Sequence, residues 1–421
     1  MSTDGTCRGC SGRTLLPVLS LGLMPLTDDY PGSADEQEGR YPLDVAFCPD
    51  CSLLQILEAP PPEAIFVDYS YYSSVSATLL RHSREHALEL IASRGLGPGS
   101  LVVEVASNDG YLLRNFVEAG VPVLGIDPAR GPAAAAEAIG VPTLQTFFGA
   151  ESARALRSEG RRADVLIAKN VLAHVPELNG FVEGVATILS ETGIAEFEVP
   201  YVRDMIDQLE FDTIYHEHLC YFSVTSLRSL FARHGLAVQR VRHLPIHGGS
   251  LRITVGRAAE GDESVRRFLD AESAAGITGF GYYRDFADRV SEVCRAVRSK
   301  LSELKGAGHR LAGYGAAAKG TILLNAARLG PDILDYVADK SPHKQGRWMP
   351  GARIPIVGPE RLLQDRPDYV LLLAWNFRNE ILMEQQAYLD GGGRFIVPIP
   401  WPVVVGEPGH ERAIDSPSGR P

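Results

Sequence analysis

Two pairs of cysteines near the N-terminus constrain the fold of this 421-residue chain more than any other feature. Two residues separate Cys7 from Cys10, and Cys48 and Cys51 repeat that spacing. Such spacing forms a knuckle that aims both sulfurs at one ion, and two knuckles supply the four thiolates that Zn²⁺ binds tetrahedrally. The separation of the knuckles is longer than the usual zinc-finger spacing, but a zinc ribbon tolerates it, so we expect a zinc-ribbon-like module. Four thiolates leave no open coordination position, so the site should be structural. Two unrelated cysteine pairs or a redox couple are the alternatives.

The hydropathy and the charge of the sequence limit where the protein can be located and which partners it can bind. No stretch of about 18 apolar residues and no secretory signal pattern is visible, so we expect no membrane association and a cytoplasmic location, where thiols stay reduced. A net charge of −11 without a long Lys/Arg run excludes nucleic acid as a partner. We expect Cys220 and Cys294 to be buried thiols and the protein to be a monomer.

Downstream of the cysteines, apolar strand-like runs alternate with helical stretches. This alternation predicts an α/β class with a parallel, doubly wound sheet, and a second α/β unit from Leu311 to about Pro402. The segments Ala237–His243 and Ser250–Val255 predict an antiparallel pair that closes the first sheet. The parallel strands of the first unit are predicted at Leu101–Val105, Val123–Ile126, Val165–Ala168 and Ile194–Val199.

The first predicted strand runs into a loop suited to a nucleotide-like cofactor. The small side chain of Ala106 permits close backbone approach, and Asp127, 23 residues after Glu104, can accept hydrogen bonds from a ribose. Both NAD and S-adenosylmethionine carry such a ribose. The loop lacks the G-x-G-x-x-G spacing that binds a pyrophosphate, which favours S-adenosylmethionine. Ordinary strand-end caps are the bland alternative for the two carboxylates.

This loop, residues 104–110, resembles motif I of class I methyltransferases, although many of those enzymes have Gly where Ala106 stands. The segment 168–176 resembles the post-strand segment that borders the methionine moiety in that class. The resemblance implies that the cofactor-binding residues are Glu104, Ala106, Asn108, Asp127 and Asn170.

The densest group of reactive side chains is the run Tyr215-His216-Glu217-His218. It admits three interpretations: a transition-metal site, a structural polar cluster, or general acid–base catalysis. The spacing is not H-E-x-x-H, which disfavours a metal. A histidine near its neutral pKa can take a proton from carbon if a carboxylate orients it, so we favour catalysis by His218 with Glu217 and Tyr215.

The second α/β unit carries a competing signal. The run from Gly313 to Ala318 fits G-x-G-x-x-G/A, and Asp339 lies 26 residues after Gly313. A nicotinamide-dependent sugar oxidoreductase that uses this loop is therefore the alternative function. A non-enzymatic zinc scaffold is a third possibility, which the reactive residues of the 215–218 run disfavour.

Taken together, these motifs resemble the deoxysugar C-methyltransferases of antibiotic biosynthesis, over nearly the whole chain. The resemblance rests on the four cysteines, the stretch 68–74, the loop 104–110, the run 215–218 and the turn 247–250 with Arg252. It implies His218 as the base, assisted by Tyr215 and Glu217, and His174 as a further active-site histidine. It also implies that a tyrosine reaches the site from the N-terminal side, Tyr69 first, with Tyr71 and Tyr72 near the substrate.

The same resemblance implies a substrate and a domain plan. The substrate is a dTDP-linked 4-keto-6-deoxysugar, methylated at C3 or C5 through an enolate. Its diphosphate would lie near Gly315 and Lys319, with Arg252 nearby. The implied domains are a zinc-binding domain at 1–66, a methyltransferase domain at 67–260, a helical connector at 261–305, a Rossmann-like nucleotide-sugar domain at 306–405 and a disordered tail at 406–421.

Overall fold

The computed structural model of the chain describes residues 5–58, 72–246, 248–258 and 261–406. Tyr69, Tyr71, His247 and the tail after Gly406 lie outside the described residues. Among the helices of these ranges, none combines the length and the apolar sequence needed to cross a membrane.

The described chain consists of short strands and helices that alternate over most of its length. In chain order the strands are β1 (Leu16–Pro25), β2 (Arg40–Phe47), β3 (Leu54–Ile56), β4 (Val102–Val105), β5 (Val123–Ile126), β6 (Thr143–Leu144), β7 (Ala163–Lys169), β8 (Leu189–Pro200), β9 (Cys220–Tyr221), β10 (Ala237–Leu244), β11 (Ser250–Gly256), β12 (Leu311–Tyr314), β13 (Val337–Ala338), β14 (Ile356–Val357), β15 (Tyr369–Leu372), β16 (Arg394–Val397) and β17 (Val403–Val405).

The α-helices connect and cover these strands. They are α1 (Ala77–Arg94), α2 (Arg114–Glu118), α3 (Arg130–Ala138), α4 (Ala150–Ser158), α5 (Leu178–Ile188), α6 (Val202–Asp207), α7 (Val224–Ala232), α8 (Glu263–Ala275), α9 (Phe286–Gly306), α10 (Ala318–Ala326), α11 (Arg361–Asp365), α12 (Arg378–Glu384) and α13 (Gln386–Asp390). The predicted connector is thus two helices, α8 and α9.

The chain divides into two compact units that are not contiguous in sequence. The first unit contains Met1–Val18, Val45–Arg203 and Glu217–Arg284. The second contains Leu19–Asp44, Asp204–His216 and Asp285–Pro421. The four N-terminal cysteines and the strands next to the predicted cofactor loop therefore belong to one unit, and α8 and α9 belong to different units.

A seven-stranded sheet forms the body of the first unit, in the order β10-β11-β8-β7-β4-β5-β6. Strands β8, β7, β4, β5 and β6 are parallel, and β10 and β11 add an antiparallel pair next to β8. The predicted antiparallel closure is confirmed. All four residues of β4 and of β5 are buried, as expected for parallel strands covered on both faces.

The two faces of this sheet differ in chemistry along β8. Phe197 packs on Phe181 and Phe231, with ring centroids 6.5 and 5.1 Å away. Its neighbours Glu196 and Glu198 lie on the opposite face, because successive side chains of a strand alternate, and both are buried. One face of the sheet is therefore apolar at this point, and the other carries buried charge beside an apolar cluster that includes Val165 and Ile167.

The second unit contains a six-stranded sheet in the order β14-β13-β12-β15-β16-β17, in which only β17 is antiparallel to its neighbour. Residues 19–44 pack on this domain. The Tyr30 hydroxyl donates to the carbonyl of Ala316 at 2.6 Å, and the Trp348 N–H donates to the carbonyl of Pro31 at 3.0 Å. The second α/β unit is thus Rossmann-like, with an N-terminal segment as an integral part.

A single buried carboxylate joins α8 to the start of α7 in the first unit. Glu272 accepts hydrogen bonds from the N–H groups of Val224 and Thr225 at 2.7 and 2.9 Å, and from the Tyr201 hydroxyl at 3.0 Å. The Thr225 hydroxyl adds a fourth bond at 2.6 Å. A carboxylate suits the N-terminus of a helix, whose free N–H groups carry partial positive charge.

We expect Glu272→Gln to lower the free energy of unfolding by about 1–3 kcal/mol, because the amide keeps only one acceptor oxygen for four donors. Urea unfolding measures this change. Asp270→Asn, an exposed substitution on the same helix, is the matched control and should change stability little. Equal midpoints for both variants would contradict this account of Glu272.

Candidate functional site

The four N-terminal cysteines converge on one point of the first unit. Their sulfur atoms all lie within 4.8 Å of one another. Cys7 Sγ lies 3.5 Å from Cys51 Sγ, and Cys10 Sγ lies 3.6 Å from Cys48 Sγ. Zn–S bonds of about 2.3 Å in a tetrahedron place sulfurs about 3.8 Å apart, so the observed set fits a zinc ion.

The two knuckles have the same backbone geometry. The residue after each second cysteine, Ser11 or Ser52, is left-handed, with φ of 60° or 61°. Its N–H donates to the carbonyl of the first cysteine of the pair, Cys7 or Cys48, at 2.8 or 2.9 Å. The tight turn brings both sulfurs of a pair to the same side. All four ligand positions are supplied by protein, so the zinc is structural.

The other two cysteines are buried thiols of low reactivity. Cys220 and Cys294 are buried. Burial raises the pKa of each thiol to about 12, so neither forms a thiolate at neutral pH.

The zinc module is hydrogen-bonded directly to the chain segment that contains His218. Strand β3 pairs with β9, with Leu54 opposite Tyr221 and Gln55 opposite Cys220. Leu219 extends this pairing: its carbonyl accepts from the Ile56 N–H at 3.0 Å, and its N–H donates to the carbonyl of Ala173 at 2.7 Å. The backbone on either side of His218 is thereby tied to both the zinc module and the turn at residues 172–174.

This arrangement brings the side chains of His174, His218 and Tyr221 together. The rings of His174 and His218 meet edge to face, with centroids 4.8 Å apart. The Tyr221 ring lies 6.5 Å from that of His218. His174 and His218 are 44 residues apart in the sequence, and both were predicted in the site.

His174 is neutral at physiological pH. Desolvation lowers the pKa of its imidazole to about 4, and a hydrogen bond to the backbone of Glu217 opposes that shift only in part. His218 therefore has an uncharged imidazole beside it.

The run from Tyr215 to His218 is divided between the two units. Glu217 and His218 belong to the first unit, and Tyr215 and His216 to the second. His216 is buried in the second unit, where its Nε2 atom lies 3.2 Å from the carbonyl oxygen of Pro42. The alternating residues of the run thus have separate surroundings, and the role of Tyr215 stays a prediction.

The predicted cofactor loop has the backbone strain that a close-fitting turn requires. Ala106 and Asn108 are left-handed, with φ of 52° and 50°, and Asn170 at the end of β7 has φ of 54°. Asp127 braces the loop, because its carboxylate accepts from the N–H groups of Asn108 and Ala129, both at 2.8 Å. Non-glycine residues in this region are uncommon and occur at functional turns.

Glu104 is the group that best indicates a ligand at this loop. Its carboxyl is buried, and within the described ranges neither of its oxygens has a hydrogen-bond partner. Burial raises the pKa of Glu104 well above its usual range. A buried carboxyl without donors fits a cationic ligand, which the ammonium and sulfonium groups of S-adenosylmethionine supply.

Residues just before α1 lie over this loop, which sequence reasoning did not foresee. The N–H of Ser73 donates to the Asn108 side chain at 2.9 Å, and the N–H of Ser74 donates to Asp109 at 3.1 Å. Tyr72, a predicted substrate residue, is about one-third exposed at the start of this stretch, with a relative exposure of 36%.

Two further predicted substrate residues already have ionic partners. In the second unit the Lys319 ammonium bonds to the Thr213 hydroxyl and lies 3.8 Å from Asp212 Oδ1, and Trp375 Nε1 donates to Asp212 Oδ2 at 2.6 Å. In the first unit Arg252 Nε donates to Glu198 at 2.8 Å. Gly315 is left-handed, with φ of 92°, at the turn between β12 and α10.

Comparison with known proteins assigns the chain. Family models match residues 7–66 as a zinc binding domain, 79–241 as a methyltransferase domain and 245–400 as a C-methyltransferase C-terminal domain. The C-methyltransferase NovU of Streptomyces niveus is 38% identical over 404 residues, which cover 95% of this chain and 96% of that protein. The chain belongs to the C-methyltransferase family. It is an S-adenosylmethionine-dependent methyltransferase with a zinc-binding domain.

Two solved structures are similar to the chain at a low level of sequence identity. Magnesium protoporphyrin IX methyltransferase of Synechocystis PCC 6803 with bound SAM is 16% identical, with a TM-score of 0.33, over 42% of this chain and 79% of that chain. The YcgJ protein of Bacillus subtilis is 14% identical, with a TM-score of 0.34, over 42% of this chain and 100% of that chain. Similarity at this level carries no argument about this C-methyltransferase.

The family assignment disfavours the oxidoreductase alternative. The run from Gly313 to Ala318 falls inside the matched C-methyltransferase C-terminal domain. Asp339, the residue that would bind an NAD ribose, accepts from the N–H groups of Ala316 and Ser341 at 2.6 and 2.8 Å. The fingerprint in this C-methyltransferase is thus a locally braced turn.

We expect the purified C-methyltransferase to contain one zinc ion per chain, and Cys48→Ser to lose that ion and to lower the melting temperature. Elemental analysis and thermal unfolding measure both. Cys294→Ala removes a thiol away from the cluster and should keep the zinc. A zinc-free Cys48→Ser protein that is as soluble and stable as the wild type would rule out a structural zinc site.

We expect His174 to make stability depend on pH. Its folded pKa of about 4 lies below the unfolded value of 6.5. Its share of about 3 kcal/mol is therefore present above pH 6.5 and is lost as pH falls from 6.5 to 4. Denaturant unfolding across this range should show a shallower loss in His174→Asn. The exposed His243→Asn serves as control, and identical slopes in all three proteins would contradict the assignment.

Proposed function

We propose that this enzyme methylates a carbon next to the ketone of a dTDP-linked 4-keto-6-deoxysugar, at C3 or C5. The observation that carries the proposal is the contact between the rings of His174 and His218 in a chain of the C-methyltransferase family. A sugar carbon becomes a nucleophile only after a proton is removed, and a histidine is the side chain best suited to that task near neutral pH. We also propose that the enzyme acts in the cytoplasm.

His218 is the proposed base. The ketone at C4 acidifies the neighbouring C–H bonds, so His218 can take a proton from C3 or C5 and leave an enolate. The neutral state of His174 matters here, because a charged neighbour would oppose the positive charge that His218 gains. Hydrogen-bond donors near the C4 oxygen, for which we propose Tyr215 and one of Tyr69, Tyr71 and Tyr72, would stabilise the enolate.

The loop of the first unit is the proposed cofactor site. Glu104 would face the ammonium group, Asp127 would accept from the ribose hydroxyls, and the left-handed turns at Ala106, Asn108 and Asn170 would let backbone approach the ligand closely. Bound S-adenosylmethionine supplies the electrophilic methyl group. The enolate carbon then needs only to be held in line with that group.

The remaining proposed residues concern the substrate. Glu217, buried beside His218 in the chain, would orient that histidine. The turn at Gly315 would approach the diphosphate through its backbone. Substrate contacts from Lys319 and Arg252 stay predictions, because their cationic groups are paired with Asp212 and Glu198.

A proton-exchange experiment tests the base separately from methyl transfer. In D₂O, with dTDP-4-keto-6-deoxyglucose as probe and S-adenosylhomocysteine bound, the wild type should exchange one proton next to the ketone, and NMR identifies its carbon. His218→Asn should slow both exchange and methyl transfer by about 10²–10⁴-fold, since a general base contributes that much. Its affinity for S-adenosylmethionine should stay within about twofold of the wild type.

The exposed His243→Asn is the matched control and should keep full exchange and transfer. Exchange at the wild-type rate in His218→Asn would remove His218 as the base. No exchange and no methylation by the wild type, despite tight binding of S-adenosylmethionine, would remove the 4-keto sugar as the substrate class.

A further inference from the structure

The charged face of the seven-stranded sheet is an extended network rather than a single ion pair. The register places Lys169 of β7 and Arg252 of β11 opposite Glu198 of β8, one on each side. The Lys169 ammonium lies 3.4 Å from Glu198 Oε1, and Arg252 Nη2 lies 2.6 Å from the same oxygen. All three side chains are buried, so the pairing is not a surface contact.

Helix α1 covers this network with polar residues one turn apart. His82 Nε2 lies 3.0 Å from each carboxylate oxygen of Glu198. His86 Nε2 lies 2.5 Å from Glu196 Oε2, and the Thr254 hydroxyl donates to Glu196 Oε1 at 2.7 Å. Both glutamates are therefore well supplied with donors. Burying this many charges is costly and adds little net stability, which raises the question of what they do.

Lys169 connects the network to Glu104. Strand β4 pairs with β7, with Glu104 opposite Ile167, so Lys169 lies two residues further along β7 on the same face. Burial raises the pKa of Glu104, and the Lys169 ammonium opposes that shift in part. Burial lowers the pKa of Lys169, and the carboxylates of Glu198 and then Glu104 oppose that shift. Lys169 also directly precedes Asn170, the left-handed residue of the proposed cofactor site.

We propose that Lys169 is a positioning residue of the cofactor site: its buried ammonium group, anchored by Glu198, favours the charged form of Glu104, which then pairs with the ammonium group of the cofactor. The inference rests on the cofactor role of Glu104 in the proposed function. Lys169 itself contacts neither the methyl group nor the substrate in this proposal. It acts through Glu104.

The electrostatic surroundings make this support necessary. Complete burial disfavours the charged form of Glu104, and three neighbouring carboxylates, Asp127, Asp109 and Glu198, disfavour it further. Lys169 is the cation that acts in the opposite direction on Glu104. The charged and titratable groups around Lys169 and Glu104 are Glu198, Glu196, Arg252, His82, His86, Asp109 and Asp127.

The sign of the expected pH effect follows from linkage. Below the pKa of ligand-free Glu104, binding of an ammonium group must first displace a proton, so affinity falls by about tenfold for each pH unit. Lys169 holds that pKa down. Its removal should therefore move the onset of the fall to higher pH, whereas a residue that only supports the fold would weaken binding equally at every pH.

Calorimetric titration of the full chain with S-adenosylhomocysteine, from roughly pH 5 to 9, tests this. Two buffers with different ionisation enthalpies report the proton that binding releases. We expect the onset in Lys169→Met at least about one unit higher than in the wild type, with about tenfold weaker affinity at the wild-type onset. Lys169→Arg should restore the wild-type curve.

A matched ligand and a matched variant sharpen the result. Methylthioadenosine lacks the ammonium group, so its affinity should not change with Lys169, and Glu104→Gln should bind S-adenosylhomocysteine weakly and without this pH dependence. A folded Lys169→Met protein with the wild-type pH curve, or one that binds both ligands equally worse at all pH values, would overturn the proposal. Lys169→Gln keeps a polar group beside Glu198 and replaces Lys169→Met if circular dichroism shows that the latter does not fold.

If the proposed cofactor site is wrong, the binding measurements give a different result from the one expected if only the role of Lys169 is wrong. If Glu104→Gln binds S-adenosylhomocysteine like the wild type over the whole pH range, then Glu104 does not face the cofactor. The placement of the cofactor is then wrong, whatever Lys169 does.

Discussion

Two backbone hydrogen bonds at Leu219 fix the chain next to His218 within the first unit. One comes from strand β3, which follows the second cysteine knuckle, and the other goes to Ala173, next to His174. These bonds hold the backbone next to both His174 and His218, whose ring centroids lie 4.8 Å apart. A zinc ion at the cysteine cluster therefore also supports the position of the strand that pairs with the residues next to His218.

The two faces of the seven-stranded sheet differ in how their side chains contribute to stability. The apolar face, with Phe197 against Phe181 and Phe231, supplies hydrophobic stabilisation. On the charged face, the cluster around Val165 and Ile167 adds to the apolar core, but the buried ions add little net stability, since each must first lose its water. Its groups are held in defined positions by paired donors on β11 and α1, and this rigidity suits an electrostatic environment that must not reorganise when a charged ligand binds.

The features that the sequence predicts are those whose determinants are close together in the chain. The cysteine knuckles, the cofactor loop and the strand pattern each depend on spacing within a few residues. The unpredicted contacts join distant positions: Trp375 donates to Asp212 across 163 residues, and Arg252 donates to Glu198 across 54. Lys169 and Glu198 carry no local pattern, because a charged residue at a strand end looks the same whether its face is buried or exposed. Only the register of the sheet shows which it is.

Each of the two units is built from segments that are far apart in the sequence. This limits the order in which the units can fold and the chimeras that can be built from relatives. The second unit needs Leu19–Asp44, synthesised early, and Asp285–Pro421, synthesised last. During synthesis, Tyr30 therefore leaves the ribosome long before Ala316, whose carbonyl accepts its hydrogen bond in the folded protein. Such long-range closure slows folding and exposes intermediates. Exchange of the C-terminal domain between relatives by one crossover would separate Tyr30 from its own partner, so chimeras should carry both segments from the same parent.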